Sequence, residues 1–153
     1  MNRNQLSGIL AVAVLLVAGT TSVAAQEKKI ARKEVPAPVL AAFEKSFPNA
    51  KVVGYSREVE DGKTLYEIES KEGTMTRDAT FTPEGTLAIV EESLPASALP
   101  KPVADAFKKQ HPEAQLTLAE KVTEGKKVFY ELHIKEGGKS LEAKYNPDGS
   151  VTK

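Results

Sequence analysis

Residues 35–89 and 99–153 align at a constant offset of 64 positions without a gap, and 18 of the 55 pairs are identical. Val35-Pro-Ala-Pro-Val-Leu-Ala-Ala-Phe43 stands against Leu99-Pro-Lys-Pro-Val-Ala-Asp-Ala-Phe107, and Tyr66-Glu-Ile68 against Tyr130-Glu-Leu132. Lys71-Glu-Gly73 repeats as Lys135-Glu-Gly137, and Thr82-Pro-Glu-Gly85 as Asn146-Pro-Asp-Gly149. A fixed period marks one supersecondary unit duplicated. Any chemistry proposed in one copy can therefore be checked at its partner position.

Each copy opens with a helix. Pro36 and Pro38, and again Pro100 and Pro102, suit an extended entry and a first turn, where a missing N–H costs nothing. Val39, Ala42, Phe43 and Phe47 form one apolar stripe, matched by Val103, Ala106, Phe107 and His111. Pro48 and Pro112 stop it, because a residue before proline is pushed out of the α region. Four short strands follow in the first copy, near 51–59, 64–70, 75–82 and 86–91. Their counterparts lie near 115–123, 128–134 and 139–146, with the fourth clipped to about 150–152. Pro83-Glu-Gly85 and Pro147-Asp-Gly149 place Pro and Gly where a tight turn needs a fixed φ and a positive one. The fold class expected is α+β, as tandem α-β-β-β-β repeats, each one helix packed on a four-stranded antiparallel sheet. The boundaries read as repeat 1 over 35–91, a linker over 92–98 and repeat 2 over 99–153. Such small units are marginal alone, so the two are expected to touch, with their sheets side by side.

Residues 1–25 read as an export signal: Arg3, then an apolar run from Ile9 to Ala18, then Val23-Ala24-Ala25 before Gln26. That run is too short to cross a bilayer, which takes about 20 residues. Residues 26–34 read as a charged flexible segment. Removing Arg3 with the leader leaves 20 basic against 21 acidic residues, a net charge of −1. No electrostatic attraction to nucleic acid or to an anionic membrane arises from that balance. The chain has no cysteine, so packing rather than disulfides must hold it.

The residues offer little for chemistry. Without Cys there is no thiolate nucleophile and no Cys-based zinc site, and there is no G-x-S-x-G elbow. Of the two histidines, His111 occupies the place of Phe47 and reads as a helix-end ring packed on the core. His133 occupies the place of Glu69 and reads as solvated. No metal and no cofactor are expected. Glu67 and Glu131 are matched across the copies, yet alternation puts both on the polar strand face, opposite the buried tyrosines, which does not suit general acid–base work. What remains is a surface. If helix and sheet share a core through Tyr66, Ile68 and Phe81, the other sheet face is expected to present Tyr55, Arg57, Leu65, Glu67, Glu69, Asp78 and Thr80. In the second copy it would present Lys121, Phe129, Glu131, His133, Glu142 and Lys144. The aromatic and apolar members suit anchoring of a peptide or protein, and the same composition also fits a plain solvated sheet face, since scattered exposed apolar residues are normal.

The ordered set Leu/Val-Pro-x-Pro-Val-x-x-Ala-Phe, Pro-x-Ala, Tyr-Glu-Ile/Leu, a Gly turn and Phe/Tyr-x-Pro-x-Gly, seen twice, resembles the PepSY-like domain, a group related to the beta-lactamase-inhibitor-like fold. The resemblance covers nearly all of 35–153. It implies an exported bacterial protein, periplasmic or secreted, whose relatives include inhibitors that grip an enzyme with a sheet and propeptide segments that restrain peptidases. It supplies no catalytic residue, and the cysteines and long loops of the secreted lactamase inhibitors are missing. The function expected is a non-enzymatic binding or regulatory module in the cell envelope. Its partner would be a protein or peptide, and it would have no nucleic acid partner and no stable membrane insertion. The alternative is a small-ligand or ion carrier with a cavity between helix and sheet.

Overall fold

The computed structural model describes residues 27–60 and 62–152; the expected leader and Asp61 of the first hairpin turn lie outside them. Eight strands form one antiparallel sheet in chain order: β1 (Lys28–Lys29), β2 (Lys51–Glu60), β3 (Lys63–Glu72), β4 (Met75–Phe81), β5 (Leu87–Ser93), β6 (Gln115–Glu124), β7 (Lys127–Glu136) and β8 (Lys139–Tyr145). Helix α1 (Ala37–Ser46) precedes β2, and α2 (Lys101–Gln110) precedes β6. The two copies do not merely lie side by side. β5 of the first pairs with β6 of the second, so the sheet is continuous.

Both helices cover the same face of that sheet. Register carries Ile68 across to Ala79, Val90, Thr123 and Val128, which places Ile68 on the same side as Tyr130 and Leu132. Under α1, Val35, Val39, Phe43, Ile68, Ala79 and Phe81 form one core, with Tyr55 and Tyr66 packed at its border. Under α2, Val103, Ala119, Leu132, Ile134 and Tyr145 form another. Each large side chain buried this way contributes about 1.5–3 kcal/mol. The helices end as the prolines require: Phe47 and His111 leave the helical region, and their N–H groups donate to Phe43 O and Phe107 O, each at 2.8 Å.

The turns after β4 and β8 show why glycine stands there. Gly85 and Gly149 both have φ of +85°, and a Cβ on either would lie 2.6 Å from Pro38 O or 2.5 Å from Pro102 O. The turn tips thus pack against the first turn of each helix, and only glycine permits both the φ and the approach.

Two expectations about the segments around the repeats are corrected. Of the segment 26–34, expected to be charged and flexible, the described residues 27–34 hold regular structure. Lys28 and Lys29 pair with Arg57 and Ser56, Ile30 N donates to Tyr55 O at 3.0 Å, and Arg32–Glu34 form a 3-10 turn. Residues 92–98 are likewise not a plain linker. Glu92 and Ser93 continue β5, where they pair with Lys121 and Glu120, Leu94 N donates to Ala119 O at 2.9 Å, and Ala96–Ala98 form a second 3-10 turn. Every one of these pairings repeats the first set at the offset of 64. β1 is therefore the short equivalent of the end of β5. Among the described residues, the segment after β8 makes a Tyr145–Val151 bridge, in the register of Phe81 and Leu87.

Candidate functional site

The face opposite the helices carries the site. β-Bulges at Val52–Gly54 in β2 and Leu116–Leu118 in β6 shift the alternation of each strand by one residue. This corrects three expected members of the open face. Tyr55 lies opposite Ile68, Arg57 opposite Tyr66 and Lys121 opposite Tyr130, so all three project toward the helix side. Tyr55 packs on the first core. Leu65, Glu67, Glu69, Asp78, Thr80, Phe129, Glu131, His133, Glu142 and Lys144 do share the open face. After the bulges, Ser56, Leu118, Glu120 and Val122 join them, and β5 adds Ile89 and Glu91.

Carboxylates cross five successive strands on this face: Glu67 on β3, Asp78 on β4, Glu91 on β5, Glu120 on β6 and Glu131 on β7. Asp78 lies opposite Glu91, and Glu120 opposite Glu131. Lysines stand to either side, Lys29 on β1 bonded to Glu69, and Lys144 on β8 with Nζ 2.8 Å from Glu131 Oε2 and 3.1 Å from Glu142 Oε1. The middle of the band is thus acidic, partly buried and short of cations. Burial, reinforced by Asp78, pushes Glu67 up to about 8. Burial with Glu120 and Glu131 lifts Glu91 to about 7, and burial with Glu69 and Glu120 lifts Asp78 to about 6. Burial raises Glu131 as well. Desolvation and the neighbouring carboxylates thus make each of these groups harder to ionise than a free carboxyl.

Neither His133 nor Glu131 is solvated. His133 Nε2 lies 3.0 Å from Glu120 Oε2 and 3.6 Å from Glu131 Oε1, and the Glu120 contact raises the affinity of the imidazole for its proton. The Glu131 side chain is 2 % exposed, and its Oε1 accepts no hydrogen bond. His111 sits at the helix end as expected, its ring 5.9 Å from that of Phe107 and its Nδ1 2.9 Å from Glu136 Oε2. Glu91 and Glu120 escaped the reading of the sequence for separate reasons. Glu120 aligns with Ser56, so the duplication gave no hint. Glu91 lies on the strand that joins the copies, whose neighbour on one side is set only by folding. Between α1 and the sheet lies a cleft of about 210 Å³ lined by Leu40, Phe43, Phe47, Tyr55 and Ile68 among others. That is smaller than the ~300–1,000 Å³ usual for small-molecule sites.

The chain matches the family described as "Putative beta-lactamase-inhibitor-like, PepSY-like" over residues 21–88 and again over 66–153. Among proteins with curated descriptions, none matches it. Solved structures with the same fold include one of "putative periplasmic proteins" from Bacteroides eggerthii, at 15% identity and TM-score 0.68, covering 78% of this chain and 86% of that one. A DUF2874 family protein from Bacteroides ovatus is similar at 19% identity and TM-score 0.65, covering 77% and 84%. A BLIP-like protein from Bacteroides fragilis is similar at 15% identity and TM-score 0.63, with the same coverage. Among the described residues, no helix is long and apolar enough to cross a membrane.

Proposed function

The chain belongs to the PepSY-like, beta-lactamase-inhibitor-like family, and from that premise we propose that it is a non-enzymatic, periplasmic binding module whose open sheet face holds a basic segment of an envelope protein or peptide. Each helix with the strands after it acts as one duplicated α-β-β-β-β unit, and the two units supply one face between them. The observation that carries this reading is the carboxylate band. Glu67, Asp78, Glu91, Glu120 and Glu131 crowd the centre of the face, while Lys29 and Lys144 stand at its flanks. Lys or Arg side chains from a partner would meet these carboxyls as charge-assisted hydrogen bonds. Leu65, Ile89 and Phe129, half-buried on the same face, offer apolar contact beside the charges. Electrostatic complementarity of this kind selects partners and speeds encounter more than it adds affinity.

The test is fluorescence anisotropy with labelled extended peptides of equal length, one rich in Lys and Arg and one rich in Asp and Glu, at several salt concentrations. The basic peptide should bind, more weakly as salt rises. The Asp78→Lys/Glu91→Lys variant, shown folded by circular dichroism, should lose that binding by at least about tenfold, or 1.4 kcal/mol. Equal binding of the two peptides, or an unaffected variant, overturns the reading.

A further inference from the structure

We propose that the second half of the open face binds one zinc-class divalent cation through His133 Nε2, Glu131 Oε1 and a carboxylate oxygen of Glu142. One potential donor atom of each of these residues lies within 4.8 Å of those of the other two. Acidic clusters alone do not make metal sites, but here a second observation points to a ligand. Glu131 is held almost wholly out of solvent on a central position of β7, and its Oε1 accepts no hydrogen bond although it faces His133. A buried carboxylate oxygen left without a donor is costly, and a cation between it and the imidazole would satisfy it. The 3.6 Å from Glu131 Oε1 to His133 Nε2 is close to the ~3.3 Å edge of a tetrahedron with metal–ligand bonds of about 2.0–2.1 Å.

Charge and chemistry agree on the class of ion. With its carboxyls ionised, the set of Glu120, Glu131, Glu142 and Lys144 has a formal charge of −2, which a divalent cation displacing the proton of His133 would cancel. Lys144 bonds Oε2 of Glu131, the oxygen the proposed ligand set does not use, and thereby orients the carboxylate as outer partners of metal ligands do. Glu120, at 3.0 Å from the same imidazole nitrogen, is placed to enter as a further carboxylate. An imidazole with two or three carboxylates suits zinc, nickel or copper, whereas calcium takes six to eight oxygens. The first half provides an internal contrast. Its equivalent residues are Glu67, Glu69 and Asp78, without an imidazole. The cluster of Glu27, Glu67 and Glu69 found there is all-oxygen and more exposed, with Lys29 bonded to Glu69.

The experiment is calorimetric titration of the chain lacking its leader with zinc, and separately with calcium, on wild type, His133→Gln, Glu131→Gln and Glu67→Gln. One equivalent of zinc should bind. His133→Gln and Glu131→Gln should each weaken it at least tenfold, and Glu67→Gln should change it less than twofold. Because substitution at the buried Glu131 can perturb folding, ring-nitrogen NMR of the wild type provides a second readout. Zinc should shift the His133 Nε2 resonance and leave His111 in place. Absence of zinc binding at millimolar concentration, unchanged affinity in a folded His133→Gln, a shift at His111 instead, or calcium bound as tightly as zinc would each overturn the assignment.

Discussion

Glu72 in the first half and Glu136 in the second occupy equivalent positions, and each is met by a nitrogen-bearing side chain, but from opposite directions. In the first half the sheet supplies it. Arg77 on β4, its side chain 7 % exposed, reaches Glu72 at 3.4 Å and Glu92 at 2.8 Å, and lies 4.3 Å over the Phe47 ring at the end of α1. In the second half Leu141 replaces Arg77, and His111 replaces Phe47 and approaches Glu136 from the helix. The exchange is concerted. Where the strand carries the guanidinium, the helix end carries a plain aromatic ring; where the helix end carries an imidazole, the strand needs no arginine. A duplicated unit thus keeps a contact while handing its parts to different elements, so position-by-position identity understates how alike the halves are.

The sharpest way to separate the halves is at the turns, where they agree most. Gly85→Ala should destabilise the protein by about 2–4 kcal/mol, through a strained φ and a clash with Pro38 O. Gly149→Ala meets the same geometry but precedes only the Val151 bridge, so it should cost roughly half as much. Urea unfolding midpoints at constant slope measure both. Next comes the exchanged contact itself. Arg77→Leu, which installs the residue of the second half, should cost about 1–3 kcal/mol, since it removes a buried cation–π contact and two ion pairs. Adding Phe47→His should return part of that loss. A double-mutant cycle should therefore show coupling of at least ~0.5 kcal/mol, whereas strict additivity would mean that the two sites are independent.

A pH series compares the open faces. Glu67, raised to about 8 from a model-peptide value of 4.5, binds its proton more tightly folded than unfolded. Its contribution to stability is therefore complete below about pH 4.5 and is lost as pH climbs through about 8; Glu91 and Asp78 act in the same sense up to about 7 and 6. The melting temperature should be lower at pH 8.5 than at pH 5. Glu67→Gln should flatten that profile and raise the value at pH 8.5 by about 3 °C or more, read by circular dichroism at both pH values. The smallest effect should come from His111→Phe, which copies the first half and keeps a ring beside Phe107. Its change should stay within about 1 kcal/mol by the same unfolding assay.

Much of the fold was legible because it rests on local rules applied twice. The proline pairs, the apolar stripe and the Pro-x-Gly turns located the helices and the hairpins. The strand before the first unit was not legible, because recognisable identity begins at Val35 whereas the pairing of Lys28 and Lys29 uses backbone groups that any sequence supplies. The site was legible only in part. Glu67, Glu69, Glu131 and His133 came from simple alternation along β3 and β7. Tyr55, Arg57 and Lys121 did not, because a single extra residue at each bulge reverses every side chain beyond it. The burial of Glu131 was invisible for another reason: it depends on neighbours across two strands, Glu120 and Lys144, that no local pattern brings together.

β5 finishes one module and begins the next, and β1 shows that the opening role can be filled by as few as two residues. An architecture whose seam is shared equally by the modules on its two sides can be lengthened like a woven band. Copying a stretch of 64 codons would insert another helix and its strands between β5 and β6, replacing that one row of backbone bonds by two of the same register. Tandem growth by recombination is in that sense already solved by the geometry of this chain, and each added module would widen the uncovered side of the sheet by a fresh, independently mutable strip.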